Sequence, residues 1–404
     1  MSNTDTLTQR ESALLTRLSE SATLAMARIS RELKSKGYDV ISLSLGEPDF
    51  NTPEFIKEAA KKAIDDNFSH YPPVNGYQDV RESIAKKFKR DNNLDYTADQ
   101  IVISTGAKQS IANAVLALVS EGEEVILPAP YWVSYSEIVK IAGGVPVEVL
   151  TPIDTDFKLS PAQLEASITP KTRMLIYSSP CNPTGTVYLK EELEALAEVL
   201  RKYPNIIIIS DEIYELINFS GKHASMAGLE GMYDRTITIN GVSKGFAMTG
   251  WRLGYLGAPK WMADACTKIQ GQFTSSPCSI SQKAAKAAVE ADPAVTFDMK
   301  AAFLRRRDQV VADLKEVPGL IVNVPEGAFY IFPDVSSYFG KSFEGKTIES
   351  ASDLCNFILE QEFVALVTGE AFGDPNCLRI SYAAAESELT EAVVRIKRAL
   401  AKLN

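Results

Sequence analysis

Residues 206–214 read Ile206-Ile207-Ile208-Ile209-Ser210-Asp211-Glu212-Ile213-Tyr214. Four successive isoleucines with no polar residue between them predict a strand buried on both faces. The run ends on a carboxylate, Asp211. Further on, Thr236-Ile237-Thr238-Ile239 repeats the arrangement and runs into Asn240-Gly241-Val242-Ser243-Lys244-Gly245. Working outward, short apolar runs at 101–103, 125–127, 145–149, 173–177 and 253–256 predict further strands. Helical periodicity predicts helices over 106–119, 135–141 and 191–201 between them. Short strands separated by helices predict an α/β fold, a mostly parallel sheet covered on both sides.

The texture changes towards the C-terminus. A long charged helix is expected over 295–316, then shorter strands around 320–324, 328–331 and 378–380, and a closing helix over 386–403. These predict a smaller α+β domain. Near the start, 21–36 reads as an amphipathic helix, and the apolar run 40–45 stops at Gly46-Glu47-Pro48. The expected division is an N-terminal segment 1–47 joining the small domain, a large domain 48–295 and a small domain 296–404.

The chain has 404 residues, 45% hydrophobic and 23% charged, enough to bury a real core and unlike a disordered or fibrous chain. Its net charge of −10 gives no global attraction for nucleic acid or an anionic membrane. Five scattered cysteines without a CxxC pair, and two histidines, give no zinc pattern. Neither a signal peptide nor a membrane span is read from the hydrophobic runs, so a cytoplasmic protein is expected. No G-x-G-x-x-G, G-x-x-x-x-G-K-[ST], H-E-x-x-H or G-x-S-x-G occurs.

Ligands of such sheets sit beyond the carboxyl ends of the strands. At those positions Asp211 is either the N-cap of a following helix or a buried carboxylate awaiting a cation. Lys244 is either a solvated loop lysine or a desolvated, nucleophilic amine, with Arg252 eight residues on. Asn182 lies between Pro180 and Pro183, either in a stiff turn or aimed rigidly at a ligand. Gly106-Ala107-Lys108 opens a helix, where free amides make an anion site. A lysine able to form a Schiff base, a buried aspartate, an anion cup and an arginine are the kit that holds pyridoxal phosphate.

The chain resembles the fold-type I pyridoxal-phosphate aminotransferases of class I. It is most similar to the bacterial aspartate (aspartate/prephenate) aminotransferase branch, from about residue 21 to 403. The stretches that carry the resemblance are Leu45-Gly46-Glu47-Pro48-Asp49-Phe50, Pro130-Tyr131-Trp132, Asn182-Pro183-Thr184-Gly185, Ser210 to Tyr214, and Ser243-Lys244 through Gly250-Trp251-Arg252-Leu253-Gly254. The resemblance implies that Lys244 links pyridoxal 5'-phosphate as a Schiff base and shuttles the proton at the substrate Cα. It implies that Asp211 pairs with the pyridine nitrogen, that Tyr214 and Asn182 contact the ring oxygen, and that Trp132 stacks on the ring. Gly106, Ala107 and Lys108, with Ser243 and Arg252, would hold the phosphate. Many relatives carry a hydroxyl where this chain has Gly241. Tyr71 would reach the neighbouring subunit's phosphate, implying a homodimer with shared sites. Arg379 would grip the α-carboxylate beside Gly46 and Asn182, and Lys108 with Thr23 the distal carboxylate. The implied activity is ping-pong transfer of the amino group of L-aspartate to 2-oxoglutarate. Prephenate, aromatic or other class I substrates are the alternatives, as is a lyase on the same frame.

Overall fold

The computed structural model describes Ser12 and residues 14–404. Its large sheet has seven strands: β2 (Ile101–Ser104), β3 (Glu124–Ala129), β4 (Val145–Leu150), β5 (Thr172–Ser178), β6 (Ile207–Asp211), β7 (Thr236–Gly241) and β8 (Gly254–Gly257). A short β1 (Ile41–Ser42) precedes them and lies outside this sheet. The order across the sheet is β2-β8-β7-β6-β5-β3-β4. Only β8 runs against its two neighbours, β2 and β7. The remaining pairs are parallel, so the carboxyl ends of β5, β6 and β7 lie at one edge.

Helices cover both faces. On one, α4 (Ala107–Leu118), α5 (Ser134–Ile141) and α8 (Lys260–Phe273) bury Val125, Leu127, Ile176 and Ile209. On the other, α6 (Pro161–Ser167) and α7 (Lys190–Arg201) bury Ile126, Leu175 and Ile208. There too α2 (Glu54–Asp65), α3 (Gln78–Lys87) and α9 (Ser279–Glu290) pack on Ile101 and Ile103. Successive residues of one strand enter opposite cores, which is why these strands lack a polar face. The exception is β4, an edge strand with Val145 and Leu150 exposed.

The C-terminal layer packs α10 (Phe297–Lys315), α11 (Ala351–Glu362) and α12 (Glu386–Leu400) against an antiparallel sheet. Its order is β13 (Val367–Thr368), β14 (Leu378–Ser381), β9 (Tyr330–Ile331). A small hairpin joins β10 (Ser342–Phe343) to β11 (Lys346–Thr347). From the N-terminal side, β1 pairs in parallel with β12 (Val364–Ala365), and Met26 of α1 (Ala22–Ser35) packs with Leu359 and Ala365. Among the described residues no helix is long and apolar enough to cross a membrane.

Three expectations are corrected. Residues 320–324 form no strand; Ile321 makes one isolated bridge to Asp334 and is exposed, as is Val324. Asn323 takes the place of a ladder, donating to Thr184 O (2.8 Å) and accepting from Phe332 N (3.0 Å). Asp211 caps no helix, because residues 213–216 are turns. The long charged helix begins two residues late, behind a 3-10 turn at Pro293–Thr296.

Candidate active site

A cavity of about 300 Å³ opens at the carboxyl edge of the large sheet, walled on one side by the C-terminal layer. Asp211 closes β6, and the residues after β7 bring Ser243 and Lys244 to the same wall. The loop after β5 delivers Asn182 and the start of α4 delivers Ala107 and Lys108. Trp132 and Tyr214 complete this wall. From the other side come Thr23 at the start of α1, Gly46, and Arg379 of β14. Gly106 lies behind the wall as the N-cap of α4 at φ +83°; an added Cβ would strike the guanidinium of Arg252, itself a lining residue. Tyr71 does not line the cavity and is 96% exposed.

Burial sets the charges. The Asp211 carboxyl is pushed up to about 6 by desolvation, and a 2.6 Å hydrogen bond from Tyr135 opposes the rise. The backbone N–H of Ile213 also donates to it (3.3 Å). Desolvation lowers Lys244 to about 8, against the pull of Glu47. Its amine donates to Gly46 O at 2.5 Å. A lysine at this value is neutral and nucleophilic in about one molecule in ten at pH 7, far more than an ordinary lysine. Arg379 is buried, with Nη1 on Asn182 Oδ1 (3.0 Å) and Nη2 on Ser44 O (2.5 Å). Its guanidinium carbon lies 4.6 Å from the centre of the Tyr330 ring and 4.9 Å from that of Phe372, and among the described residues its buried Nε has no partner. Lys108 sits over Trp132 (4.9 Å), its pKa lowered by desolvation and by Arg252.

The lining holds four cations, Lys108, Lys244, Arg252 and Arg379, and two carboxylates, Glu47 and Asp211. In a chain of net charge −10 this is a local reversal built for anions. Among the described residues, Lys108, Arg252 and Arg379 form no ion pair with a protein carboxylate. The amides of Ala107 and Lys108, in the first helical turn, have no acceptor within the helix.

The class I and II aminotransferase family model matches residues 38–396. The chain belongs to this family. As an aminotransferase it resembles the bifunctional aspartate aminotransferase and glutamate/aspartate-prephenate aminotransferase of Petunia hybrida, 49% identical over 94% of this chain and 80% of that one. To the aspartate/prephenate aminotransferase of Cereibacter sphaeroides it is 47% identical, over 96% and 98% of the two chains. Among solved structures, the aspartate aminotransferase of Rhizobium meliloti superposes with a TM-score of 0.94 at 41% identity, over 98% of this chain and all of that one. The Thermus thermophilus aspartate aminotransferase with maleate gives 0.90 at 38%, over 96% and 99%.

Sequence reasoning passed over three residues of this cavity. Tyr135 donates to Asp211, Thr249 donates to Glu47, and Tyr330 hydrogen-bonds Tyr214. One polar cluster is structural: Glu212, Glu215 and His223 gather their ligand atoms within 4.8 Å, but the Lys87 ammonium already contacts Glu215 there.

Proposed function

We propose that this enzyme is a pyridoxal-phosphate-dependent aspartate aminotransferase, passing the amino group of L-aspartate to 2-oxoglutarate. The observation that carries the reading is the trio of unmatched cations, Lys108, Arg252 and Arg379, in one cavity with Asp211 and Lys244. Three anionic groups answer them: a cofactor phosphate and the two carboxylates of a dicarboxylic amino acid. The residues present fit the cofactor. Ala107 and Lys108 amides, Ser243 and Arg252 make its phosphate cup, and Asp211 is a buried carboxylate short of a cation.

When bound, pyridoxal phosphate supplies an electron sink for the pair left at Cα when its proton departs. Lys244 provides the amine that bonds the cofactor and, once released, the base that takes and returns the Cα proton. Asp211, ionised at neutral pH, pairs with the protonated ring nitrogen. Tyr214 and Asn182 would contact the ring oxygen, and Trp132 would stack on the ring. Arg379, held by Asn182 and Ser44, takes the α-carboxylate as a fork beside the Gly46 backbone. Lys108, helped by Thr23, takes the distal carboxylate. We also assign residues 48–295 to a cofactor-binding domain and 296–404, with 1–47, to a smaller one. The functional unit is a homodimer in which Tyr71 serves its neighbour.

The test is an absorbance spectrum of the purified protein before and after L-aspartate, without any keto acid. The expected outcome is a visible band that converts to the pyridoxamine form, with one oxaloacetate released per site. A protein that stays colourless after reconstitution overturns the reading. Prephenate is a second substrate to assay, because it also carries two carboxylates and several relatives are named for it. Formation of arogenate would establish it.

A further inference from the structure

Tyr330 stands outside every role assigned above, yet it touches three of the parts. It is completely buried from solvent except where it lines the cavity. Its hydroxyl is 2.7 Å from the hydroxyl of Tyr214. Its ring lies 4.6 Å from the Arg379 guanidinium carbon. A Cβ added to Gly46 would overlap its hydroxyl, so the phenol rests against the backbone whose carbonyl accepts from Lys244.

Each phenol has one proton to give and two lone pairs. Neither hydroxyl has another hydrogen-bond partner among the described residues. Whichever phenol donates leaves the other's proton free for the cavity. Burial raises both phenols, and the charge of Arg379 opposes the rise in each. A phenol has one proton, so a Tyr214 that donates to the ring oxygen can only accept from Tyr330, which orients the bond from Tyr330 to Tyr214.

We infer that Tyr330 is a positioning residue of the transamination site: its hydroxyl donates to Tyr214, freeing the Tyr214 proton for the cofactor's ring oxygen, while its ring holds Arg379 in plane. This rests on the reading of Arg379 and Tyr214 given above. One side chain then ties the group that takes the α-carboxylate to the group that faces the ring. Losing the hydroxyl leaves Tyr214 a weaker donor to the ring oxygen, which then holds a proton near the Lys244 nitrogen more readily. The charged groups that line the same cavity are Glu47, Lys108, Asp211, Lys244, Arg252 and Arg379, and none is altered by the change.

The test is Tyr330→Phe, made alone and on a Tyr214→Phe background, read by the pH midpoint of the colour change of the cofactor-loaded protein. Alone, it should raise the midpoint by roughly 0.4–1 pH unit, the worth of one neutral hydrogen bond. On the Tyr214→Phe background the same change should add less than about 0.2 unit, because the proton it controlled is gone. KM for aspartate should change by less than about twofold, since the ring still faces Arg379; Tyr330→Leu, which removes the ring, should raise it by roughly tenfold. Equal shifts on both backgrounds, or no shift on either, overturn the inference. Failure of the underlying reading looks different, as a protein that takes up no pyridoxal phosphate and has no colour to titrate.

Discussion

Asp211 ends the buried strand β6 with a carboxylate that desolvation has lifted to about 6, and Tyr135 is the hydroxyl that resists the lift. The sign of the pH dependence follows from an acid whose folded value exceeds its unfolded one. The folded, cofactor-free protein binds the extra proton, so this group's contribution to stability is lost as pH rises from about 4 through about 6. A protonated ring nitrogen would remove that cost by pairing with the ionised form. The stabilisation by pyridoxal phosphate, measured as a shift in Tm, should therefore grow from pH 5 to pH 7.5, and Asp211→Asn should flatten the trend. Tyr135→Phe deletes the hydrogen bond that favours the carboxylate, and kcat should fall about fivefold, about 1 kcal/mol. Lys108 makes the sharper substrate prediction. Its ammonium stands over Trp132, with no carboxylate among the described residues to meet. Lys108→Ala should lower kcat/KM for aspartate about 10- to 150-fold, the loss of one charge-assisted contact. The same change should do far less to a monocarboxylic donor, and a substrate panel checks both.

Strand β8 is packed so closely against the start of α4 that a Cβ on Gly254 would overlap the amide nitrogen of Ala107. Its backbone is extended, so the constraint is space and not a left-handed conformation. Gly254→Ala should cost about 1–3 kcal/mol by overpacking. Because the displaced group is the anion cup, affinity for pyridoxal phosphate should fall together with Tm, and a fluorescence titration of the refolded variant reads the first. That contact was invisible in the chain, where Gly254 is merely the last residue of a recognisable run. What was legible had a local cause. The isoleucines of β6 and the Thr-Ile alternation of β7 enter two cores, and strand ends are where such sheets carry ligands. Asp211, Asn182 and Lys244 could thus be singled out, and all three line the cavity. The partners that tune them could not. Tyr330 lies 116 residues from Tyr214 and Tyr135 lies 76 from Asp211, and no periodicity links such pairs. The missing strand at 320–324 has the same origin: its apolar residues promised a ladder, but Asn323 satisfies the backbone from a side chain.

At the scale of the whole molecule, Tyr71 is a side chain whose position one chain leaves unexplained. A large aromatic residue at 96% exposure, on the turn between α2 and α3, gains nothing from solvent and takes no part in its own cavity. A second copy that receives it would turn exposure into function, and hybrid molecules can expose that exchange. Lys244→Ala removes the amine from its own site, whereas Tyr71→Ala removes a phosphate contact from the neighbour's. In a hybrid of the two variants both lesions fall in one site, and the other site is intact. Mixing the two nearly inactive proteins and allowing subunits to exchange should restore about a quarter of native activity, since half of random dimers are hybrids with one working site of two. A protein whose sites are each complete within one chain would recover nothing on mixing, because every site would still carry its own lesion. Turnover before and after exchange therefore separates a shared site from a self-contained one.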